Sequence, residues 1–191
     1  MDTEAVTVVS GLPRSGTSML MKILEEGGLP PLTDNKREAD VDNPKGYYEF
    51  DRVLKLPDDV TWLPEARGKA VKVLAILVKH LPPGYRYRVI FIQRNMDEML
   101  ASQKKMLVRR GEDPDRISDS EMRDLFNKTV KDLKNNLALR NDISVLYVSY
   151  NDIMKNPQPH IDAIDKFMGG WMDKDKMKAV VDARLYRNRA Q

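Results

Sequence analysis

The sequence predicts an α/β fold, a central and mainly parallel sheet flanked by helices, and three observations carry that prediction. Apolar, β-branched runs at 5–10, 70–74, 87–93 and 144–149 have the length and continuity of strands buried on both faces. A helical pattern follows each run. The strand–helix–strand spacing favours parallel pairing through right-handed crossovers, which gathers ligands at the carboxyl ends of the strands.

The first strand runs into Gly11-Leu12-Pro13-Arg14-Ser15-Gly16-Thr17-Ser18, and an amphipathic helix opens on Ser15 to Ser18. A strand feeding a tight turn into a helix N-terminus directs several backbone N–H groups, and the positive end of the helix dipole, at one point. That geometry binds phosphate or sulfate. Glycines let the backbone approach the anion, and the hydroxyls of Ser15, Thr17 and Ser18 add donors. Gly11 and Gly16 have the spacing of a nucleotide-triphosphate loop, G-x-x-x-x-G-K-[ST], but Thr17 stands where that loop carries lysine. The cation is Arg14 instead. The plain alternative is a turn that serves chain reversal only, and the strand before it and helix after it favour the anion site.

Residues 29–68 are irregular and rich in Pro, Gly, Asp and Asn. Their length suits a substrate-covering segment with short helices rather than a linker. The strand at 87–93 ends at Arg94, and a helix begins at Met96. An arginine leaving a strand and Ser102, two turns into the helix, can reach one anion; the alternative is a surface arginine and a serine bonded to its own backbone. Residues 118–141 read as a long helix, with Ser118 and Glu121 spaced as a capping box. Its apolar stripe of Met122, Leu125, Phe126, Val130, Leu133 and Leu137 is expected in the core. The strand at 144–149 leads into Tyr150-Asn151-Asp152-Ile153, then Asn156-Pro157. Residues 173–183 read as a last helix, followed by a basic tail of Arg184, Arg187 and Arg189.

Composition narrows the function classes. With 191 residues, 41% hydrophobic and 32% charged, the chain is expected to form one domain, 1–191. There is no cysteine, which excludes disulfides, zinc-thiolate sites and thiol catalysis. A net charge of only +3, with no basic stripe interleaved with aromatics, gives no reason to expect a nucleic-acid partner. The acidic start, Met1-Asp2-Thr3-Glu4, is not a signal peptide, and the longest aliphatic run, at 73–78, is too short for a membrane span. A cytoplasmic protein is the expectation.

Three stations along the chain resemble the sulfotransferase family. Pro13-Arg14-Ser15-Gly16-Thr17-Ser18 resembles its 5′-phosphosulfate loop, Pro-Lys/Arg-Ser-Gly-Thr-Ser/Thr. Arg94 and Ser102 match the family's arginine at a strand end and serine eight positions later. Tyr150 and Asp152 match its Tyr-Glu-Asp-Leu motif, with Asn151 where the family has glutamate. The resemblance implies a three-layer P-loop-type fold and the donor 3′-phosphoadenosine 5′-phosphosulfate, with no metal. It implies that Arg14, Ser15, Gly16, Thr17 and Ser18 hold the 5′-phosphosulfate and that Arg94 and Ser102 hold the 3′-phosphate. Tyr150 is then expected near the adenine, or equally as a packing residue at the sheet edge. The acceptor is expected to be a hydroxyl or amine of a small molecule.

Sulfuryl transfer also needs stabilisation of charge on the leaving oxygen and a base for the acceptor proton. Arg14 is the cation; an arginine stays protonated, so its role is electrostatic. Asn43-Pro44-Lys45-Gly46-Tyr47-Tyr48-Glu49 resembles the Asn-Pro-x-Gly-x-x-Glu segment of bacterial sulfotransferases, which makes Glu49 the candidate base. The bland alternative is a helix-start glutamate. Asp34, Glu38 and Asp40 are lesser candidates. His80 lies in a Lys79-His80-Leu81-Pro82 stretch like that of cytosolic members, but its register is wrong: the position directly after the strand start belongs to Lys72. The chain is short for the family, so acceptor-enclosing walls must be small or come from a second subunit, as in a homodimer. The family's C-terminal Arg-Lys-Gly stretch is absent; Arg184, Arg187 and Arg189 either replace it or form an exposed basic tail. A P-loop kinase or hydrolase, and a non-catalytic nucleotide-binding protein, are the competing readings.

Overall fold

The computed structural model describes residues 2–34, 36, 40 and 46–182. Five parallel strands, β1 (Val6–Gly11), β2 (Pro31–Leu32), β3 (Ala70–Leu74), β4 (Tyr87–Gln93) and β5 (Ile143–Ser149), form one sheet in the order β2-β3-β1-β4-β5. The helices are α1 (Thr17–Glu26), α2 (Leu63–Ala66), α3 (Met96–Arg109), α4 (Asp119–Ala138), α5 (Tyr150–Lys155), α6 (Pro157–Met168) and α7 (Lys174–Ala179). Two 3-10 helices, Asp51–Lys55 and Ala75–His80, complete the described elements.

The core lies in two layers because the strands present alternate residues to opposite faces. Val6 and Val8 of β1 and Val89 and Phe91 of β4 pack with Phe126, Leu133 and Leu137 of α4. Val9, Ile90 and Ile92 point the other way, onto Leu20, Ile23 and Leu24 of α1 and Ile161 and Ile164 of α6. Every residue of β1 is buried, as a central strand covered on both faces requires.

Helix α4 starts where its capping box places it: the Ser118 hydroxyl accepts from the Glu121 backbone N–H, and the Glu121 carboxylate accepts in return. Leu125 departs from the expected core stripe. It is 51% exposed, because the helix meets the sheet along Met122, Phe126, Val130, Leu133 and Leu137, one row to the side. The helical pattern after β3 is a 3-10 helix, and β2 arises inside the segment read as irregular. Among the described residues no helix is long and apolar enough to cross a membrane.

Candidate active site

From β1 the chain moves to β2 and β3 on one side of the sheet, whereas β4 and β5 lie on the other. The reversal falls between β1 and β4, and their diverging connections open a crevice at the carboxyl ends. The loop that crosses it, Leu12 to Gly16, is tightly folded: the Ser15 N–H donates to the Leu12 carbonyl at 3.1 Å. Arg14 and Gly16 both adopt left-handed backbone, with φ of 66° and 105°. Two glycines are needed for space as well. A Cβ on Gly16 would lie 2.5 Å from Tyr150 Cδ2, and one on Gly11 would lie 2.4 Å from Ser15 Oγ.

The hydroxyls of this loop do not act alike. Thr17 and Ser18 face a cavity of about 320 Å³, and Ser18 Oγ donates to the Tyr47 carbonyl at 3.4 Å. Ser15 is buried, its Oγ has no hydrogen-bond partner, and it borders a second cleft between β4 and α4 instead. The sequence reading grouped all three hydroxyls as donors to one anion. A tight turn alternates its side chains, and Ser15 points beneath it.

Arg94 and Ser102, expected to share one anion, are each bonded to Arg14. Arg14 Nε donates to Ser102 Oγ at 3.0 Å. Arg94 Nη1 donates to the Arg14 carbonyl at 3.2 Å, and the Arg94 guanidinium lies 4.5 Å from the centre of the Tyr150 ring. Tyr150 is buried, with Arg94 on its face and Gly16 at its edge, so it packs the site together while also lining the cavity.

Arg94 also pairs with Glu98, Nε to Oε2 at 3.0 Å, and the two side chains are 7% and 3% exposed. Asn151 Nδ2 donates to Glu98 Oε1 at 3.1 Å, while Asn151 Oδ1 accepts from the Asn95 backbone N–H at 2.8 Å. Asn95 caps α3 by accepting from the Glu98 N–H. Neither Glu98 nor Asn151 stood out in the sequence as a site residue. The available signal was the i, i+4 spacing of Arg94 and Glu98 across the start of a helix.

The opposite wall of the cavity comes from the segment after β2. Tyr47 and Glu49 line it together with Lys72 and Leu74 of β3. Lys72 Nζ donates to the Tyr47 carbonyl at 2.8 Å and lies 3.7 Å from Glu49 Oε1. The Glu49 carbonyl is held by Thr33 Oγ1 at 2.8 Å and by the Asp34 N–H at 3.2 Å. Between them Tyr48 has φ of 55°, and its hydroxyl donates to Glu25 Oε2 at 2.5 Å. Burial pushes the Tyr48 hydroxyl's pKa up, and the bond to Glu25 adds to the shift. Lys72 was legible in principle. A lysine inside an apolar strand buried on both faces must be paired or reach the sheet's carboxyl edge.

The remaining candidates separate. Asp40 accepts from the Tyr47 hydroxyl at 2.6 Å, and Asp34 Oδ2 accepts from the Asp51 N–H at 2.9 Å. His80 is exposed at the end of its 3-10 helix and does not line the cavity. Glu38, Arg184, Arg187 and Arg189 lie outside the described residues. Val180 and Asp182 line the cavity, so the chain passes its rim on the way to that tail.

Residues 5–189 match the family model of the sulfotransferase domain. No curated protein sequence matches significantly. Among solved structures, the chain is similar to a sulfotransferase domain from the curacin biosynthetic pathway, with a TM-score of 0.56 and 13% identity over 95% of this chain and 79% of that one. It is also similar to retinol dehydratase in complex with androsterone and the inactive cofactor PAP, with a TM-score of 0.54 and 14% identity over 98% of this chain and 67% of that one. At such identities the structural likeness is one of fold. The family model spans every strand, the loop after β1 and both arginines, and by it this chain belongs to the sulfotransferases, enzymes that transfer sulfuryl groups.

Proposed function

We propose that the enzyme moves a sulfuryl group from 3′-phosphoadenosine 5′-phosphosulfate to a hydroxyl or amine of a small-molecule acceptor. One observation carries this reading: a single cavity is walled on one side by Arg14, Thr17, Ser18 and Arg94 and on the other by Glu49 and Lys72. The residues present fit such a donor. Gly16 adds no side chain at the helix N-terminus, where one anion would sit, and Arg94 lines the same cavity as a cation for a second one. Thr17 and Ser18 would hold the 5′-phosphosulfate with Arg14; Arg94 and Ser102 would hold the 3′-phosphate, with Tyr150 beside the purine.

When bound, the donor supplies a sulfur–oxygen bond to phosphate that breaks as sulfur joins the acceptor oxygen or nitrogen. The chain's own groups do the rest. Arg14, always cationic, stabilises negative charge on the leaving oxygen without giving up a proton. Lys72 Nζ holds the Tyr47 carbonyl and the Glu49 carboxylate, which keeps Glu49 turned to the cavity. Glu49 Oε1 takes the acceptor proton. Tyr47 and Glu49, on either side of the Tyr48 that is anchored to Glu25 of α1, would wall the acceptor side.

Titration calorimetry tests the donor class directly. Adenosine 3′,5′-bisphosphate is expected to bind at micromolar concentrations, at least ~10-fold more tightly than ATP with magnesium. The reverse order would overturn the proposal in favour of a nucleotide kinase or hydrolase.

A further inference from the structure

The Arg94 guanidinium cannot be considered apart from the buried carboxylate it touches. Three residues around it are tied by bonds whose direction is fixed. The Asn95 backbone N–H is a donor, so the atom of Asn151 facing it at 2.8 Å must be the acceptor Oδ1. That choice turns Asn151 Nδ2, a donor, toward residue 98 at 3.1 Å. On its other oxygen residue 98 meets Arg94 Nε at 3.0 Å, a donor again. A side chain placed between two donors must accept at both ends. A carboxylate does so with its two oxygens, and Glu98 supplies it, 3% exposed and ion-paired with Arg94.

We infer that Glu98 and Asn151 are positioning residues for the donor site: together they fix the Arg94 guanidinium against Tyr150 and beneath the Arg14 carbonyl, and so set how strongly the enzyme reads the 3′-phosphate. The inference rests on the assignment of Arg94 to that phosphate. Arg94 Nη1 also holds the Arg14 carbonyl at 3.2 Å, in a residue whose left-handed backbone resists its own side chain. The network therefore links the carboxyl ends of β1, β4 and β5. The position where this chain has Asn151 and the family has glutamate acquires a reason here. A glutamate at 151 would set a second carboxylate against Glu98.

The arrangement makes an exchange possible. In Glu98→Gln the amide oxygen can still accept from Arg94, but its NH₂ then opposes the Asn151 NH₂, and Asn151 cannot turn over without leaving the Asn95 N–H unpaired. Adding Asn151→Asp restores an acceptor on that side and moves the negative charge across to the neighbouring side chain. The readout is the ratio of the dissociation constants of adenosine 5′-monophosphate and adenosine 3′,5′-bisphosphate, measured by calorimetry on the full chain. It isolates the 3′-phosphate from general folding damage.

The ratio should fall by about tenfold or more in Glu98→Gln and in Asn151→Asp, and return to within about threefold of the parent in the double variant. If Glu98→Gln does not fold, the double variant should fold and show the near-parental ratio. A single variant with the parental ratio, or a double variant that neither folds nor recovers it, overturns the inference. A parent enzyme with no preference for the bisphosphate would overturn the assignment of Arg94 itself, and the inference with it; that outcome is read on the parent alone.

Discussion

Arg14 and Ser102, 88 residues apart in sequence, meet through a 3.0 Å hydrogen bond from Nε to Oγ. Sequence reasoning gave them opposite ends of the donor, Arg14 the 5′-phosphosulfate and Ser102 the 3′-phosphate. The bond joins those two tasks. On the proposed roles, the serine assigned to one anion also restrains the cation assigned to the other.

Arg14 carries both a charge and a strained backbone, and one substitution separates them. Arg14→Gly removes the side chain but accepts the φ of 66° without strain. The relief of strain offsets the lost bond to Ser102, so it should still fold, while the affinity for 5′-phosphosulfate donors falls by about one to two decades, since a charge-assisted bond contributes roughly 1.5–3 kcal/mol. Calorimetry and thermal denaturation of one sample would check both halves. Unchanged affinity would remove Arg14 from the donor site.

Arg94→Ala is expected to be damaging in two ways. It leaves Glu98 buried without its cation, which costs about 3–5 kcal/mol of stability in a urea titration. It should also weaken adenosine 3′,5′-bisphosphate far more than adenosine 5′-phosphosulfate. Equal losses for the two ligands would mean that the arginine is purely structural.

Glu49→Gln keeps the shape of the side chain but cannot accept a proton. Donor affinity should survive while turnover falls by ~10²-fold or more, followed first as slow donor hydrolysis or as reverse desulfation of an aryl sulfate. His80→Ala, at an exposed position off the cavity, should match the parent. A dead His80 variant beside an active Glu49 variant would reverse the assignment.

Gly16→Ala should cost stability through both φ and space. Gly84 provides the comparison: its φ is 91°, but a Cβ there meets nothing within 4 Å. Gly84→Ala should therefore show the backbone strain alone, about 1–3 kcal/mol. Gly16→Ala should exceed it, because Tyr150 stands 2.5 Å from the new methyl, and should lose nucleotide binding too.

Acid should act through Asp59. Hydrogen bonds from the Thr61 hydroxyl and N–H, then from Arg52, lower its pKa from 3.8 to about 2. A carboxylate lowered on folding contributes stability that is complete above its unfolded pKa and is lost as pH falls through its folded one. Asp59→Asn should accordingly flatten the fall in stability between about pH 4 and pH 2, as read by denaturation at fixed pH values.

The strands were legible because β1 and the middle of β4 are covered on both faces, so Val8-Val9 and Val89-Ile90-Phe91-Ile92 run apolar on consecutive residues. β2 was not. Two residues, Pro31 and Leu32, carry no period, and their pairing with β3 is decided by the sheet already in place. The site was legible where chemistry is local, in the turn from Gly11 to Ser18. It was hidden where chemistry depends on neighbours. Glu98 in the first turn of a helix and Asn151 at the start of another look like solvated caps, and only the β4–β5 pairing brings them into contact. Lys72 was legible by the opposite rule, as the one cation in an apolar strand, but its contact with Glu49 was not.

The strand order has a consequence for how the enzyme comes into being. Arg14, Arg94 and Tyr150 follow strands β1, β4 and β5, so the pocket exists only after pairings between distant parts of the chain have formed. Such topologies fold slowly, because loop closure precedes its reward. A ribosome must have released the chain as far as Val180 and Asp182 before every described wall of the pocket is present. On the proposed function, a donor at a hundred times its dissociation constant adds about 2.7 kcal/mol to the whole sheet, so its supply would bear on how much enzyme survives as well as how fast it works.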